Sequence, residues 1–411
     1  MTREETTCDV LVLGGGVAGL FILDALARAG FDPLLIEAGR LGTGQTSSSQ
    51  GILHGGLKYA LDGIVGRSST SIATMPVRWA SMLQGTAAPD LSDVGVHSEH
   101  CYLWRTTTLG SRLGMIAARS ALKAKPRQVD PQERPEVLAA CPGSVAVVDE
   151  TVIDPISLLR SLADRHQSRL LAIDGPDRMT IQVDQPGQVE SLQLHDDQRV
   201  LVIRPTLVVL AAGSGNQKLL QDAGCSQPAM QRRPLRMGML RGDLPMLWGH
   251  CVDGARTRIT VSSATDENGR VVWQVGGQVS EDGATMDHDR FLEHLQSEIR
   301  ATIPGLDTSG IQWASYMVDR AEESTSGSKR PHQYTINHQS GNMLTCWPTK
   351  LVMAPLLADD VVELIMQRLE PGAPAGARGD TFNKWPRPNV AQPPWELQSC
   401  WTDDNSAATA R

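Results

Sequence analysis

A glycine turn between a strand-like run and a helical run constrains this chain more than any other feature. Asp9 to Leu13 (DVLVL) is short, apolar and rich in β-branched residues, and it opens onto Gly14, Gly16 and Gly19. From Val17 to Ala29 the apolar residues, among them Leu20, Leu23 and Ala27, recur at helical spacing. Gly30 then stands where a left-handed C-cap belongs. Pro33 to Ile36 reads as a second buried strand, and it ends on Glu37. The result is a β-α-β unit with G-x-G-x-x-G at its first turn. The first glycine allows the tight turn, the second lets backbone approach a pyrophosphate, and the third lets helix pack closely on strand. The helix start offers unpaired N–H groups and partial positive charge to phosphates. Glu37 stands where an acid accepts both hydroxyls of an adenosine ribose, and an acid there disfavours a 2′-phosphate. A dinucleotide without that phosphate is expected. The motif alone suits FAD and NAD equally.

The chain has 411 residues, enough for two sequential or interleaved domains. Its formal net charge is −8 and its basic residues form no runs, so no nucleic-acid partner is expected. Seven cysteines, Cys8, Cys101, Cys141, Cys225, Cys251, Cys346 and Cys400, are dispersed without C-x-x-C spacing. That argues against a disulfide framework or a zinc knuckle, and no metal site is expected. Arg3, Glu4 and Glu5 precede the first strand where a signal peptide would need an apolar core. No apolar run is long enough to span a membrane. A cytoplasmic protein with reduced thiols is expected, with peripheral membrane association left open.

Farther along, Asp154-Pro155 resembles an N-cap with proline in the first turn of a helix through Leu158, Leu159 and Leu162. Leu207 to Leu210 is a buried strand leading into Ala211-Ala212-Gly213. Met237 to Leu240, Ile259 to Val261 and Val271 to Val275 read as strands of an antiparallel sheet. Phe291, Leu292, Leu295 and Ile299 mark an amphipathic helix, and Val361, Leu364 and Ile365 a final one. Beyond Gly372, proline, glycine and polar residues dominate, with Trp385, Trp395 and Trp401 isolated among them. This reads as an extended, partly disordered tail pinned by its tryptophans.

The segment EAGRLGTGQTSSSQGILHGGLKY (Glu37 to Tyr59) decides between the two dinucleotides. It resembles the FAD-dependent glycerol-3-phosphate dehydrogenases, within the D-amino-acid-oxidase-like (DAO) flavoprotein superfamily. Thr46, Ser47, Ser48 and Ser49 match a hydroxyl-rich segment, and Leu53-His54-Gly55-Gly56-Leu57-Lys58-Tyr59 matches an I-H-G-G-L-R-Y run. Short hydroxyls bind a pyrophosphate with little bulk, and paired glycines let backbone lie against a flat ring. LVVLAAGSG (Leu207 to Gly215) is similar to the second FAD-contacting strand. GNMLTCWPTKLVMAPLLAD (Gly341 to Asp359) resembles the family's C-terminal strand-to-helix segment.

The resemblance implies an α/β fold, α+β overall. Its Rossmann-like FAD-binding domain would comprise residues 1–64, 151–224 and 331–372. An interleaved antiparallel or mixed-sheet substrate domain would take 65–150 and 225–330, leaving 373–411 as the tail. It implies FAD held noncovalently by Gly14, Gly16, Gly19, Glu37, Ala38, Thr46, Ser47, Ser48, Gly51, His54, Gly55, Ala212, Gly213, Thr349, Lys350 and Leu351. It further implies catalytic roles for His54, Lys58, Arg320 and Lys350. Lys350 would face the flavin edge where negative charge develops, and His54 would take a substrate proton or prop the cofactor loop. Lys58 and Arg320 would hold an anion, unless Asp319, Glu322 and Glu323 pair with Arg320 instead. Cys346 lies near the implied flavin edge, but a cysteine in a strand is more often a small buried hydrophobe.

Departures from the family pattern fall on the substrate side. Lys58 replaces an arginine, Pro348-Thr349 a glycine pair, and Gly238-Met239-Leu240 a Gly-Ser-His turn; Val318-Asp319-Arg320-Ala321 stands for Gly-Val-Arg-Pro. The expected activity is hydride transfer from a small anionic substrate, a 2-hydroxy acid or a glycerol-3-phosphate-like molecule. An amine or amino-acid oxidase is the alternative, and a flavin-containing RNA-modifying or regulatory protein is disfavoured by the acidic balance. Oxygen, a quinone or a carrier protein would accept the electrons.

Overall fold

The computed structural model describes residues 2–55, 67–106, 126–227, 229–253, 256–325, 331, 333–339, 341–348, 350–372 and 378–403, with side chains of 67–73 left aside. The chain alternates between two compact units. The first comprises Met1–Ser47, Ile156–Arg233 and Asp319–Ala391; the second comprises Ser48–Pro155, Pro234–Val318 and Gln392–Arg411. The first crossing thus falls at Ser47/Ser48 rather than at 64/65. Ile52 bridges Val152, and Leu53 N–H donates to the Thr151 carbonyl, so the 48–55 segment belongs with the second unit.

The first unit is built on a parallel core. Strand β1 (Thr2–Leu13) feeds helix α1 (Val17–Arg28), which returns to strand β2 (Pro33–Glu37). Helix α1 ends as its sequence suggests, with Gly30 at φ +89°. The sheet runs Thr335–His338, Met343–Trp347, Arg199–Leu210, β1, β2, Leu170–Ala172, and the hairpin Met179–Gln185/Gln188–His195 extends from Arg199–Leu210. From Met343–Trp347 to Leu170–Ala172 all neighbours are parallel. Val10, Leu11 and Val12 are wholly buried, as strands covered on both faces require.

The expected tail departs from its sequence reading. Asp380–Asn383 is a short helix, and Phe382 and Trp385 are buried in the first unit's core. Glu4 accepts from the N–H groups of Thr381 (2.7 Å) and Phe382 (3.1 Å), while Arg378 pairs with Asp32 at 2.7 Å. Leu41 forms an isolated bridge with Val390. Proline and polar residues suggested disorder, yet two aromatic side chains find apolar partners far away in sequence.

The second unit is a mostly antiparallel sheet. Its order is Thr402–Asp403, Gln312–Glu323, Met230–Gly242, Val271–Gly276, Arg256–Thr265, Gly249–Asp253, Cys101–Trp104, Val145–Val148, Arg127–Val129, with the ends of two strands counted among the first unit's residues. Helix His288–Thr302 buries Phe291, Leu292, Leu295 and Ile299 into one core with Trp273 and Trp313. Asp287 caps it by accepting from Arg290 N–H at 2.9 Å.

Candidate cofactor and active site

The three motif glycines do not share one reason for being glycine. Gly14 has φ +109°, and a Cβ there would lie 2.5 Å from the Ala212 Cα. A Cβ on Gly19 would lie 1.9 Å from the Gly14 carbonyl oxygen. Both positions are closed by the protein itself. Gly16 differs: its Cβ would meet only the Thr46 hydroxyl, at 3.4 Å, an ordinary contact. The space beside Gly16 is therefore kept clear by something other than packing, as a pyrophosphate would require.

The surrounding groups suit that ligand. No acidic residue occupies the first turn of α1, and the Thr46 hydroxyl accepts from Val17 N–H at 3.2 Å. Gly15, which the motif leaves unspecified, donates its N–H to Glu37 Oε2 at 2.6 Å. A Cβ on Gly15 would strike Leu41 at 2.3 Å. Burial raises the Glu37 carboxyl above its ordinary value, opposed by the N–H groups of Gly15, Gly39 and Ala38. Ser47 N–H closes the following loop onto the Gly42 carbonyl, and Ala38 is exposed beside Glu37.

The Ala211-Ala212-Gly213 turn abuts Gly14 because β1 and Arg199–Leu210 are parallel and in register at Leu13 and Leu210. Asn216 locks the turn. Its Oδ1 accepts from Ala212 N–H at 2.8 Å, and its Nδ2 donates to the Cys346 carbonyl at 3.0 Å. Gly213 has φ +55°, which only a glycine adopts readily. Thus Gly14, Gly16, Gly19, Glu37, Thr46, Ala212 and Gly213 come together at the carboxyl ends of parallel strands, where ligands of open α/β sheets bind.

Lys350 follows the Met343–Trp347 strand and precedes the short 3-10 turn Leu351–Met353. The long helix after it begins at Ala354 with Pro355 in its first turn, so the proline does not break it. Arg320 lies half-buried in Gln312–Glu323. Around it, Asp319 pairs with Arg232 at 3.4 Å, Glu322 with Arg233 at 2.8 Å, and Glu323 accepts from Asn337 at 2.9 Å. Lys58 and Thr349 lie outside the described residues.

In the second unit, Gly51 has φ +70° and fits so closely that a Cβ would lie 2.0 Å from the Ile153 carbonyl oxygen. The Ser48 carbonyl accepts from Gln274 Nε2 at 2.9 Å, and Gln50 Nε2 donates to the Thr260 and Gln274 carbonyls, both at 2.9 Å. These bonds tie the hydroxyl-rich segment to the sheet. His54 Nδ1 lies 3.3 Å from Glu150 Oε2, and Gly55 N–H donates to Glu150 Oε1 at 3.0 Å. His250 Nε2 lies 3.4 Å from the same Oε2, an ion-pair distance without hydrogen-bond alignment. Burial opposes ionisation of Glu150, yet the imidazoles of His54 and His250 outweigh it and hold the carboxyl well below the usual carboxylate range. Glu150 and His250 escaped the sequence reading, because neither carries a local motif. Their only signal was a charge and an imidazole beside otherwise apolar strands.

Residues 9–348 match the family model described as DAO, FAD dependent oxidoreductase. The probable FAD-dependent oxidoreductase PA4991 of Pseudomonas aeruginosa is 38% identical over 399 residues, spanning 96% of this chain and 99% of that protein. Its crystal structure superposes with a TM-score of 0.80 at 34% identity, over 96% of this chain and 99% of that one. Glycine oxidase from Geobacillus kaustophilus shares the fold at a TM-score of 0.62 and 16% identity, covering 88% and 95% of the two chains. The L-alpha-glycerophosphate oxidase of Mycoplasma pneumoniae with FAD bound does so at 0.61 and 14%, covering 94% and 100%. Likeness to an anaerobic glycerol-3-phosphate dehydrogenase of Escherichia coli is confined to 60 residues at 37% identity, 15% of this chain and 11% of that one. Among the described residues no helix is long and apolar enough to cross a membrane.

Proposed function

The chain belongs to the DAO family of FAD-dependent oxidoreductases, and from that premise we propose that it oxidises a small anionic substrate, a 2-hydroxy acid or a glycerol-3-phosphate-like molecule. FAD held at this site would supply the hydride acceptor for the substrate C–H. The observation that carries the reading is the placement of Lys350. The Met343–Trp347 strand is parallel to Arg199–Leu210, with Thr345 opposite Leu210. Lys350 therefore leaves the same sheet edge as Gly14, Glu37 and Gly213. A cation there stabilises negative charge that develops during reduction, and it attracts an anionic substrate. Arg320 offers a second, bidentate cation for a carboxylate or phosphate. His54 is not assigned as the proton acceptor in this reading, since its half-buried imidazole stands against the Glu150 carboxylate at 3.3 Å.

Glycine and glycerophosphate, named for two fold neighbours, both carry an anionic group that such cations would bind. An amino acid would use its carboxylate in the same way, which makes amino-acid oxidation the second reading. Anaerobic bleaching of the flavin spectrum separates them. A panel of 2-hydroxy acids, polyol phosphates, amino acids and neutral amines is added to the oxidised protein. Fastest bleaching by a hydroxy acid or polyol phosphate is expected, with Arg320→Ala raising KM more than it lowers kcat. Fastest bleaching by an amino acid moves the assignment to the second reading. Fastest bleaching by a neutral amine overturns the anion site.

A further inference from the structure

We propose that His54, Glu150 and His250 form a binding site for one zinc ion in the second unit. The three side chains come from separate segments: the loop after Gly51, the turn after the Val145–Val148 strand, and the Gly249–Asp253 strand. Their donor atoms all lie within 4.8 Å of one another. His54 Nδ1 to Glu150 Oε2 is 3.3 Å, and His250 Nε2 to the same oxygen is 3.4 Å. Tetrahedral zinc with bonds of roughly 2.0–2.1 Å places neighbouring ligand atoms about 3.3–3.4 Å apart. Two of the three edges already have that length.

The unpartnered nitrogen of His250 points the same way. His250 is 7% exposed at its side chain, and its Nε2 has no hydrogen-bond partner among the described residues. Its Nδ1 lies 3.0 Å from the Thr260 hydroxyl. When that Nδ1 carries the proton, Nε2 presents a bare lone pair to a carboxylate oxygen in a buried setting. Two lone pairs facing each other there are unfavourable unless a cation lies between them. A proton on Nε2 would relieve that repulsion only through a long, poorly aligned 3.4 Å contact to Glu150. A metal ion accepts all three lone pairs at once.

The outer contacts match what metal ligands require. The Thr260 hydroxyl holds the second nitrogen of His250, and Gly55 N–H holds the second oxygen of Glu150 at 3.0 Å. Such contacts fix tautomer and orientation around a bound metal. His54 is 24% exposed at its side chain, so one ligand of the cluster reaches solvent. Two imidazoles and one carboxylate form a borderline donor set that suits zinc rather than magnesium or calcium. The ion would clip the His54 loop to two strands of the sheet, a role independent of the substrate.

The test uses the FAD-loaded protein equilibrated with one equivalent of zinc chloride and desalted, with metal content read by mass spectrometry. One zinc per chain is expected, with X-ray absorption at the zinc edge showing scattering from two imidazoles. His250→Ala should lower zinc content at least tenfold with the flavin-to-protein ratio unchanged. Absence of stoichiometric zinc, retention of full zinc by His250→Ala, or an edge spectrum without imidazole scattering would each overturn the site. Where His250→Ala does not fold, the wild-type edge spectrum decides alone. None of these readouts depends on substrate turnover, so the site stands or falls separately from the proposed reaction.

Discussion

The backbone N–H of Gly15 donates to Glu37 Oε2 at 2.6 Å, joining the glycine turn to the end of β2 across 22 residues. In the proposed FAD site the bond would hold the acid meant for the ribose against the turn meant for the pyrophosphate. Glu37→Ala leaves that N–H without its acceptor and removes the hydroxyl acceptor as well. A hydrogen bond to a charged group contributes roughly 1.5–3 kcal/mol, so FAD affinity should fall by about ten- to a hundredfold. Titration of apoprotein with FAD, followed by flavin fluorescence, measures it. Unchanged affinity would remove Glu37 from the cofactor site.

Gly16 and Gly19 should fail in different ways. Gly19→Ala drives a Cβ into the Gly14 carbonyl, so the apoprotein itself should be destabilised or insoluble. Gly16→Ala meets only the Thr46 hydroxyl, so the fold should survive while FAD content drops at least tenfold. Thermal melting of the apoproteins beside flavin content distinguishes the two. A Gly16→Ala protein with full flavin content would show that the open space serves another purpose.

Asp24 is a buried acid of helix α1 that accepts from Arg28 at 2.7 Å and lies 3.0 Å from His166 Nε2. Burial pushes its carboxyl up, but the bonds from His166 and Arg28 outweigh burial and hold it below its ordinary value. A carboxyl depressed in the fold stabilises above its unfolded pKa of about 3.9, and this contribution is lost as pH falls through the folded value. Asp24→Asn should cost about 1–3 kcal/mol at neutral pH, with a smaller gap from wild type in strong acid. Urea melts at pH 7 and at pH 3 test this; a gap that grows in acid contradicts it.

Residues beyond 373 contribute to the first unit's core. Phe382 is 1% exposed, and Phe382→Ala should cost about 3–5 kcal/mol. Truncation after Gly372 removes Phe382, Trp385 and the Arg378–Asp32 pair together, and should give insoluble protein. Soluble, flavin-loaded truncated protein would show that these contacts are dispensable.

Cys346 is fully buried, and burial pushes its thiol up to about 12. Almost no thiolate exists near neutrality, so a thioether to the flavin is disfavoured. Acid precipitation should leave FAD in the supernatant, and Cys346→Ala should keep the same flavin content. Flavin that remains with the pellet, and is freed by this substitution, would reverse the assignment.

The cofactor half of this protein was legible because its signals are local. A strand, three spaced glycines, a helix and Glu37 lie within 30 residues, so turn geometry, close packing and ligand chemistry are all written in one short segment. The second strand-to-turn segment at Ala212-Gly213 and the hydroxyls from Thr46 onward were likewise readable as short motifs. What tertiary structure decided depends on contacts distant in sequence. Gly15 acquired its role from Leu41 and Glu37, and Asn216 from a carbonyl 130 residues away. Trp385 looked like an isolated aromatic, and Phe382 carried no signal at all, until β1 and its neighbours supplied an apolar surface. Glu150 and His250 are 100 residues apart and have no shared spacing. The pairing of Cys101–Trp104 with both Val145–Val148 and Gly249–Asp253 brings them together, and the Ile52–Val152 bridge sets His54 beside them. Short-range chemistry is written in backbone periodicity and turn residues, whereas a buried polar cluster is specified only when strands choose their partners.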